Sequence, residues 1–131
     1  MNIYDLYGLN VDNIESAKLL LESIVGIHFE LRDSMYIGDY YSSKVSQKER
    51  YIIQNNYYEP EGWKEEQYKD FKVLFYANCP QNPDELHTKI SSCSDIVCML
   101  HRTIITETRW AKELRFVNGQ FEIISEQKLP K

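Results

Sequence analysis

The residues of this chain able to do chemistry are few and scattered. Three cysteines, Cys79, Cys93 and Cys98, stand 14 and 5 positions apart, which is neither the C-x-x-C of a redox motif nor the paired spacing of a zinc ribbon. They read as small apolar fillers. The sharper alternative is a thiol nucleophile with His87 or His101 as base. His28 sits on the polar side of an alternating run, with no second ligand at metal-binding spacing. The acidic pairs Glu59/Glu61 and Glu65/Glu66 could form an acid/base couple, but they lie in a polar stretch where the burial that shifts a carboxyl pKa is hard to maintain. The chain contains no G-x-S-x-G elbow, no G-x-x-x-x-G-K-[ST] phosphate loop and no H-E-x-x-H zinc helix. No catalytic residue, metal site or cofactor is expected.

Charge placement says more than any of these groups. The 131 residues carry 15 Lys+Arg against 20 Asp+Glu, a net charge of −5, with 13% aromatic residues including 10 tyrosines. Residues 1–66 hold 12 acids and 6 bases, whereas residues 67–131 hold 8 and 9, so the acidity belongs to the first half. Within that half, Tyr36, Asp39, Tyr40 and Tyr41, and then Tyr57, Tyr58, Glu59, Glu61, Trp63, Glu65, Glu66 and Tyr68, interleave aromatic rings with carboxylates. An acidic chain is a poor general ligand for phosphate, so nucleic acid is not an expected partner. Aromatic anchors in a field of one sign suit a basic protein instead. The competing reading is structural, since tyrosine is a good strand former that often only covers a sheet edge.

The elements that must position these groups follow from periodicity. Residues Val11–Val25 predict a helix: Asp12 and Glu15 form a D-x-x-E capping box, Ile14, Ala17, Leu20, Leu21, Ile24 and Val25 share one face, and Gly26 supplies the left-handed stop. Ile27, Phe29 and Leu31 alternate with His28, Glu30 and Arg32 as a strand with one buried face. Met35–Tyr41 is a second strand in which Gly38 marks a bulge or a close backbone approach. Ser42–Lys48 reads as a turn or loop, and Tyr51–Asn56 as a third strand antiparallel to the second. Tyr57–Asp70, broken by Pro60 and Gly62, reads as the longest irregular stretch, and loops of this length in compact domains are usually functional or disordered. Phe71–Ala77 is apolar enough for a central strand. Asn82-Pro83-Asp84-Glu85 opens a short helix. Asp95–Arg102 returns as a strand in β-α-β order, and Asn118-Gly119 turns a C-terminal hairpin over Glu113–Ile124.

Together these predict one domain over residues 1–131. The expected class is α/β or α+β, with two main helices on a mixed, largely antiparallel sheet of about six strands that ends in the hairpin. No run approaches the ~20 apolar residues of a membrane span. The N-terminus lacks the basic and apolar regions of a signal peptide, which predicts a cytoplasmic protein with no membrane partner.

The order of these elements resembles small immunity proteins of bacterial polymorphic-toxin and contact-dependent growth inhibition systems. The stretches that carry the likeness are Gly26–Glu30, Asp33–Tyr41, Ile53–Tyr57, Val73–Asn78 and Asn82–Leu86. The resemblance implies a cytosolic antitoxin that binds the C-terminal toxin domain of a cognate effector, frequently a nuclease, and blocks its active site or substrate path without turnover. It transfers no contact residue. Charge and exposure alone nominate Asp39, Tyr40, Tyr57, Tyr58, Glu59, Glu61, Trp63, Glu65 and Glu66 as the partner-binding set. A small acidic adaptor or regulatory domain is the alternative in the same binding class, and a small hydrolase using Cys79 or a His–Glu pair is the alternative in another.

Overall fold

Alternation in the first nine residues sets the centre of the molecule. Asn2–Leu9 (β1) aims Tyr7 and Leu9 at one side of a sheet and Leu6 at the other. The computed structural model describes residues 1–130. After β1 come α1 (Ile14–Val25), β2 (Glu30–Ser34), β3 (Gly38–Lys44), β4 (Arg50–Asn55), β5 (Tyr57–Tyr58) and β6 (Gly62–Trp63). A 3₁₀ turn at Glu66–Tyr68 leads to β7 (Val73–Asn78), α2 (Pro83–Ser91), β8 (Val97–Ile105), β9 (Trp110–Val117) and β10 (Gln120–Lys128). Eight strands form one sheet in the order β10-β9-β8-β1-β7-β4-β3-β2, and β5 pairs only with β6. The class is α+β, as expected. The sheet has eight strands rather than about six, and every neighbouring pair is antiparallel rather than mixed. β7 and β8 both oppose β1, which lies between them, so the crossover through α2 skips one strand.

Both helices lie on one face. Ile14, Ala17 and Leu21 of α1 and Leu86 and Ile90 of α2 bury against Tyr7, Leu9, Tyr51, Ile53, Val73, Phe75 and Met99. The helix start is displaced from the expected capping box: Asn13, in extended conformation, caps α1 by accepting a hydrogen bond from the Ser16 N–H at 2.8 Å. Asp12 lies outside the helix, facing Lys72 at 3.9 Å. Gly26 ends α1 at φ +71°, its N–H bonded to the Glu22 carbonyl. The second helix is capped as the sequence indicates, Asn82 accepting from the Glu85 N–H ahead of Pro83.

Several strand expectations move. β2 starts at Glu30, and of Ile27, Phe29 and Leu31 only Phe29 is fully buried, because β2 is the sheet's outer edge and Leu31 lies exposed beyond the core. His28 is exposed, 3.4 Å from the Glu22 carboxylate. Met35–Ile37 is the turn between β2 and β3, and Ser42–Lys44, expected as loop, belongs to β3. β8 begins at Val97, two residues later than expected, and Asn118-Gly119 turns β9 into β10 with both residues at positive φ.

The centre of the opposite face is covered by residues 64–72. Tyr68 and Phe71 pack on Leu6, Leu74 and Leu100, with Tyr76 and Cys98 beside them. Gly8 permits this, since the Phe71 ring occupies the place a β-carbon on Gly8 would take. No described helix is long and apolar enough to cross a membrane.

Candidate partner-binding face

The stretch expected to be irregular is built. Tyr57 and Tyr58 pair with Trp63 and Gly62 as a two-stranded hairpin whose Glu59–Pro60 bond is cis. The residue that holds it is Asn56, fully buried at the end of β4. Its carboxamide oxygen accepts from the Glu65 N–H at 2.8 Å, and its amide donates to the carbonyls of Tyr68 and Phe71 at 3.0 Å each and of Glu65 at 3.4 Å. Its own N–H donates to the Lys72 carbonyl at 2.8 Å, and its carbonyl accepts from the Lys64 N–H at 2.7 Å. One asparagine therefore closes a loop of sixteen residues. Nothing local in Tyr51–Asn56 reveals this, because all its partners lie eight or more positions downstream.

Gly38 joins the hairpin to the sheet. Its φ is +72°, and a β-carbon there would lie 2.6 Å from Tyr58 Cε1, so it is the close-approach glycine of the two possibilities raised above. This contact brings the β2–β3 turn against the hairpin. Tyr36, Tyr58, Glu61 and Trp63 line one pocket of about 250 Å³ with Ile37 and Asn55. Met35, Tyr36, Tyr57 and Trp63 are 76%, 64%, 44% and 37% exposed. Tyr57 stands edge-on to Trp63 with ring centres 5.0 Å apart, and the Lys69 ammonium lies 5.7 Å from the Trp63 ring centre.

The nine nominated residues do not all share this surface. Tyr58, Glu61 and Trp63 line the pocket, and Tyr57 and Glu59 adjoin it, the Tyr57 hydroxyl donating to Glu59 at 2.6 Å. That bond pushes the Tyr57 phenol up from its ordinary pKa. Tyr40 lines a neighbouring groove with Ile37, Ser42 and Ile52. Asp39 leaves the set: strand alternation turns it to the other side of β3 from Tyr40, where it stands opposite Asp33. Glu65 turns inward and accepts the Tyr76 hydroxyl at 2.6 Å, and burial together with this bond holds the Tyr76 proton tightly. Glu66 pairs with Lys69 at 3.6 Å. Glu61 alone of the four glutamates has no hydrogen-bond or ion-pair partner among the described residues.

A broader groove of about 380 Å³ runs beside the covering segment, between Tyr4, Glu65, Tyr76, His101, Glu113 and Ile124. The groups that could do chemistry lie apart. Cys98 donates to the Ser94 carbonyl, and burial pushes its thiol up, away from the thiolate a nucleophile needs. His87 is walled by Tyr7, Phe116 and Phe121, and burial lowers its pKa. Under the same helix, Arg102 binds Asp5 through two bonds of 2.7 and 3.0 Å, reaches Asp84 at 3.3 Å and covers the Phe121 ring. No group of three or more His, Cys, Asp or Glu among the described residues is placed to hold a metal ion. Comparison of the chain with protein-family models, with curated proteins and with solved structures finds no match.

Proposed function

We propose that this chain is a stoichiometric inhibitor that binds a basic toxin domain, frequently a nuclease, through the hairpin face and occludes its active site or substrate path. The observation that carries the reading is the surface made by Tyr36, Tyr57 and Trp63 with Glu59 and Glu61. It is a group of large exposed rings with carboxylates at its rim, held on a buried anchor. Exposed apolar area grouped in one place marks an interaction site more often than scattered single residues do. Rings of this kind lose little side-chain entropy on binding, and the carboxylates steer a cationic partner into place. A toxin that cleaves nucleic acid carries a basic cleft for phosphate, and Glu59 and Glu61 are the groups of this face that would meet it, beside Lys64 and Lys69.

Co-expression with the product of the gene immediately upstream tests the proposal, scored by growth rescue and by a co-purifying one-to-one complex. The wild-type chain should rescue growth, and Trp63→Ala and Glu61→Lys should each weaken the complex by about thirtyfold or more while leaving the fold intact. Rescue undiminished in both variants would place the interface elsewhere. A chain that holds the basic domain without relieving toxicity would be an adaptor instead.

A further inference from the structure

The pocket beneath the β2–β3 turn has the chemistry of a receptor for one cationic side chain. Three aromatic residues, Tyr36, Tyr58 and Trp63, line it, together with Glu61, whose carboxylate has no hydrogen-bond or ion-pair partner among the described residues. Aromatic faces attract cations through their negative quadrupole. The Trp63 ring already attracts one inside this chain, the Lys69 ammonium at 5.7 Å. Asn55 and Asn56 also line the pocket, and the Asn56 carboxamide is consumed by its hydrogen bonds to Glu65, Tyr68 and Phe71, so that part of the lining is fixed. The volume of about 250 Å³ leaves room for a single side chain rather than a drug-sized ligand.

We propose that this pocket receives an arginine side chain of the protein partner, stacked on the aromatic walls with its guanidinium on Glu61. Arginine fits better than lysine because its planar group both stacks on rings and meets a carboxylate through two parallel N–H donors. The inference rests on the reading of this face as the partner-binding surface and adds the anchor residue the partner supplies. Lys64 lines the same pocket and Lys69 lies over the Trp63 ring, and both repel the incoming charge, which makes Lys64 a test of sign.

The experiment titrates N-acetyl-arginine-amide into the isotope-labelled full chain and follows the Gly62 amide and the Trp63 indole N–H by NMR. Its neutral isostere, N-acetyl-citrulline-amide, is the control. Saturable shifts confined to the pocket are expected, with a dissociation constant of order 1–10 mM for a single-residue probe. The citrulline compound should bind about tenfold more weakly, and Glu61→Gln should reduce arginine affinity to a similar degree. Lys64→Gln should tighten arginine binding about two- to threefold.

Equal affinity for the two probes, absence of saturable shifts below about 50 mM, or weaker arginine binding in Lys64→Gln would each overturn the proposal. The wild-type comparison needs no variant to fold. A chain that neutralises its toxin yet ignores the arginine probe loses the pocket alone. One that binds the probe yet neither holds nor neutralises a basic toxin keeps the pocket and loses the inhibitor reading.

Discussion

Asn56→Ala is the substitution that most directly separates residues 64–72 from the sheet they cover. It removes an acceptor for the Glu65 N–H at 2.8 Å and donors to the Tyr68 and Phe71 carbonyls at 3.0 Å, together with the longer 3.4 Å bond to the Glu65 carbonyl. Taking the three shorter bonds at about 1 kcal/mol each gives about 3 kcal/mol, with the orphaned groups adding to that wherever water cannot reach them. The backbone bonds from Asn56 to Lys72 and from Lys64 to Asn56 survive, so residues 64–72 should open locally before the sheet does.

Amide hydrogen exchange reads this residue by residue. A loss of about 3 kcal/mol is roughly a 150-fold increase in local opening. The amides of Glu65, Tyr68 and Phe71 should speed up by that factor, while those in the middle of β1 and β7 change far less. Asn56→Asp should be worse than alanine at neutral pH, since it keeps the acceptor but presents a carboxylate to three carbonyl oxygens. Unchanged protection at Glu65 and Phe71 in Asn56→Ala would refute the idea that this side chain holds the segment. Equal acceleration throughout β1 and β7 would refute the local character of the opening.

Gly38→Ala should displace the hairpin, because the new methyl meets the Tyr58 ring and the position is held at φ +72°; a loss of about 1–3 kcal/mol in urea unfolding and altered Trp63 fluorescence are the expected readouts. His87 is pushed below its ordinary pKa by burial, with Arg102 acting in the same direction, so the unfolded chain takes up a proton that the folded chain resists. Its contribution to stability is therefore complete above about pH 6.5 and is lost as pH falls toward the folded-state value. The decline in unfolding free energy between about pH 7.5 and 5.5 should be shallower in His87→Phe than in the wild type, and identical slopes would remove His87 as its source.

Legibility followed the range of the interactions. Gly26, Asn82-Pro83 and Asn118-Gly119 declare their roles within a few residues, and the structure uses each as the local pattern indicates. The central strand β1 carried no such signal, because a buried aspartate interrupts it. Asp5 is tolerable there only because Arg102, 97 positions away, supplies its guanidinium. The capping asparagine of α1 lay one residue from the expected aspartate, a shift that only backbone conformation decides. At the candidate face the interleaving of rings and acids picked out two stretches, from which the structure brings Tyr36, Tyr58, Glu61 and Trp63 around one pocket. It did not separate Tyr40 from Asp39, which alternation sends to opposite sides, nor the free Glu61 from Glu65, whose carboxylate is bound to Tyr76.

That separation has a consequence for how the face works. The groups fixing the segment are Asn56 through its six hydrogen bonds, Phe71 over Gly8, and the Tyr76–Glu65 bond. The exposed groups are Tyr36, Tyr57, Glu59, Glu61 and Trp63, and what they touch is chiefly one another and the hairpin itself. Anchoring and display thus fall on different side chains. Replacing Tyr36 or Glu61 should leave stability within about 0.5 kcal/mol of the wild type, as for other surface positions away from special features, whereas replacing Asn56 loosens the segment that follows the hairpin. On the proposed reading of this face, exchange of Glu61 or Tyr36 changes the partner selected without rebuilding the sheet beneath them.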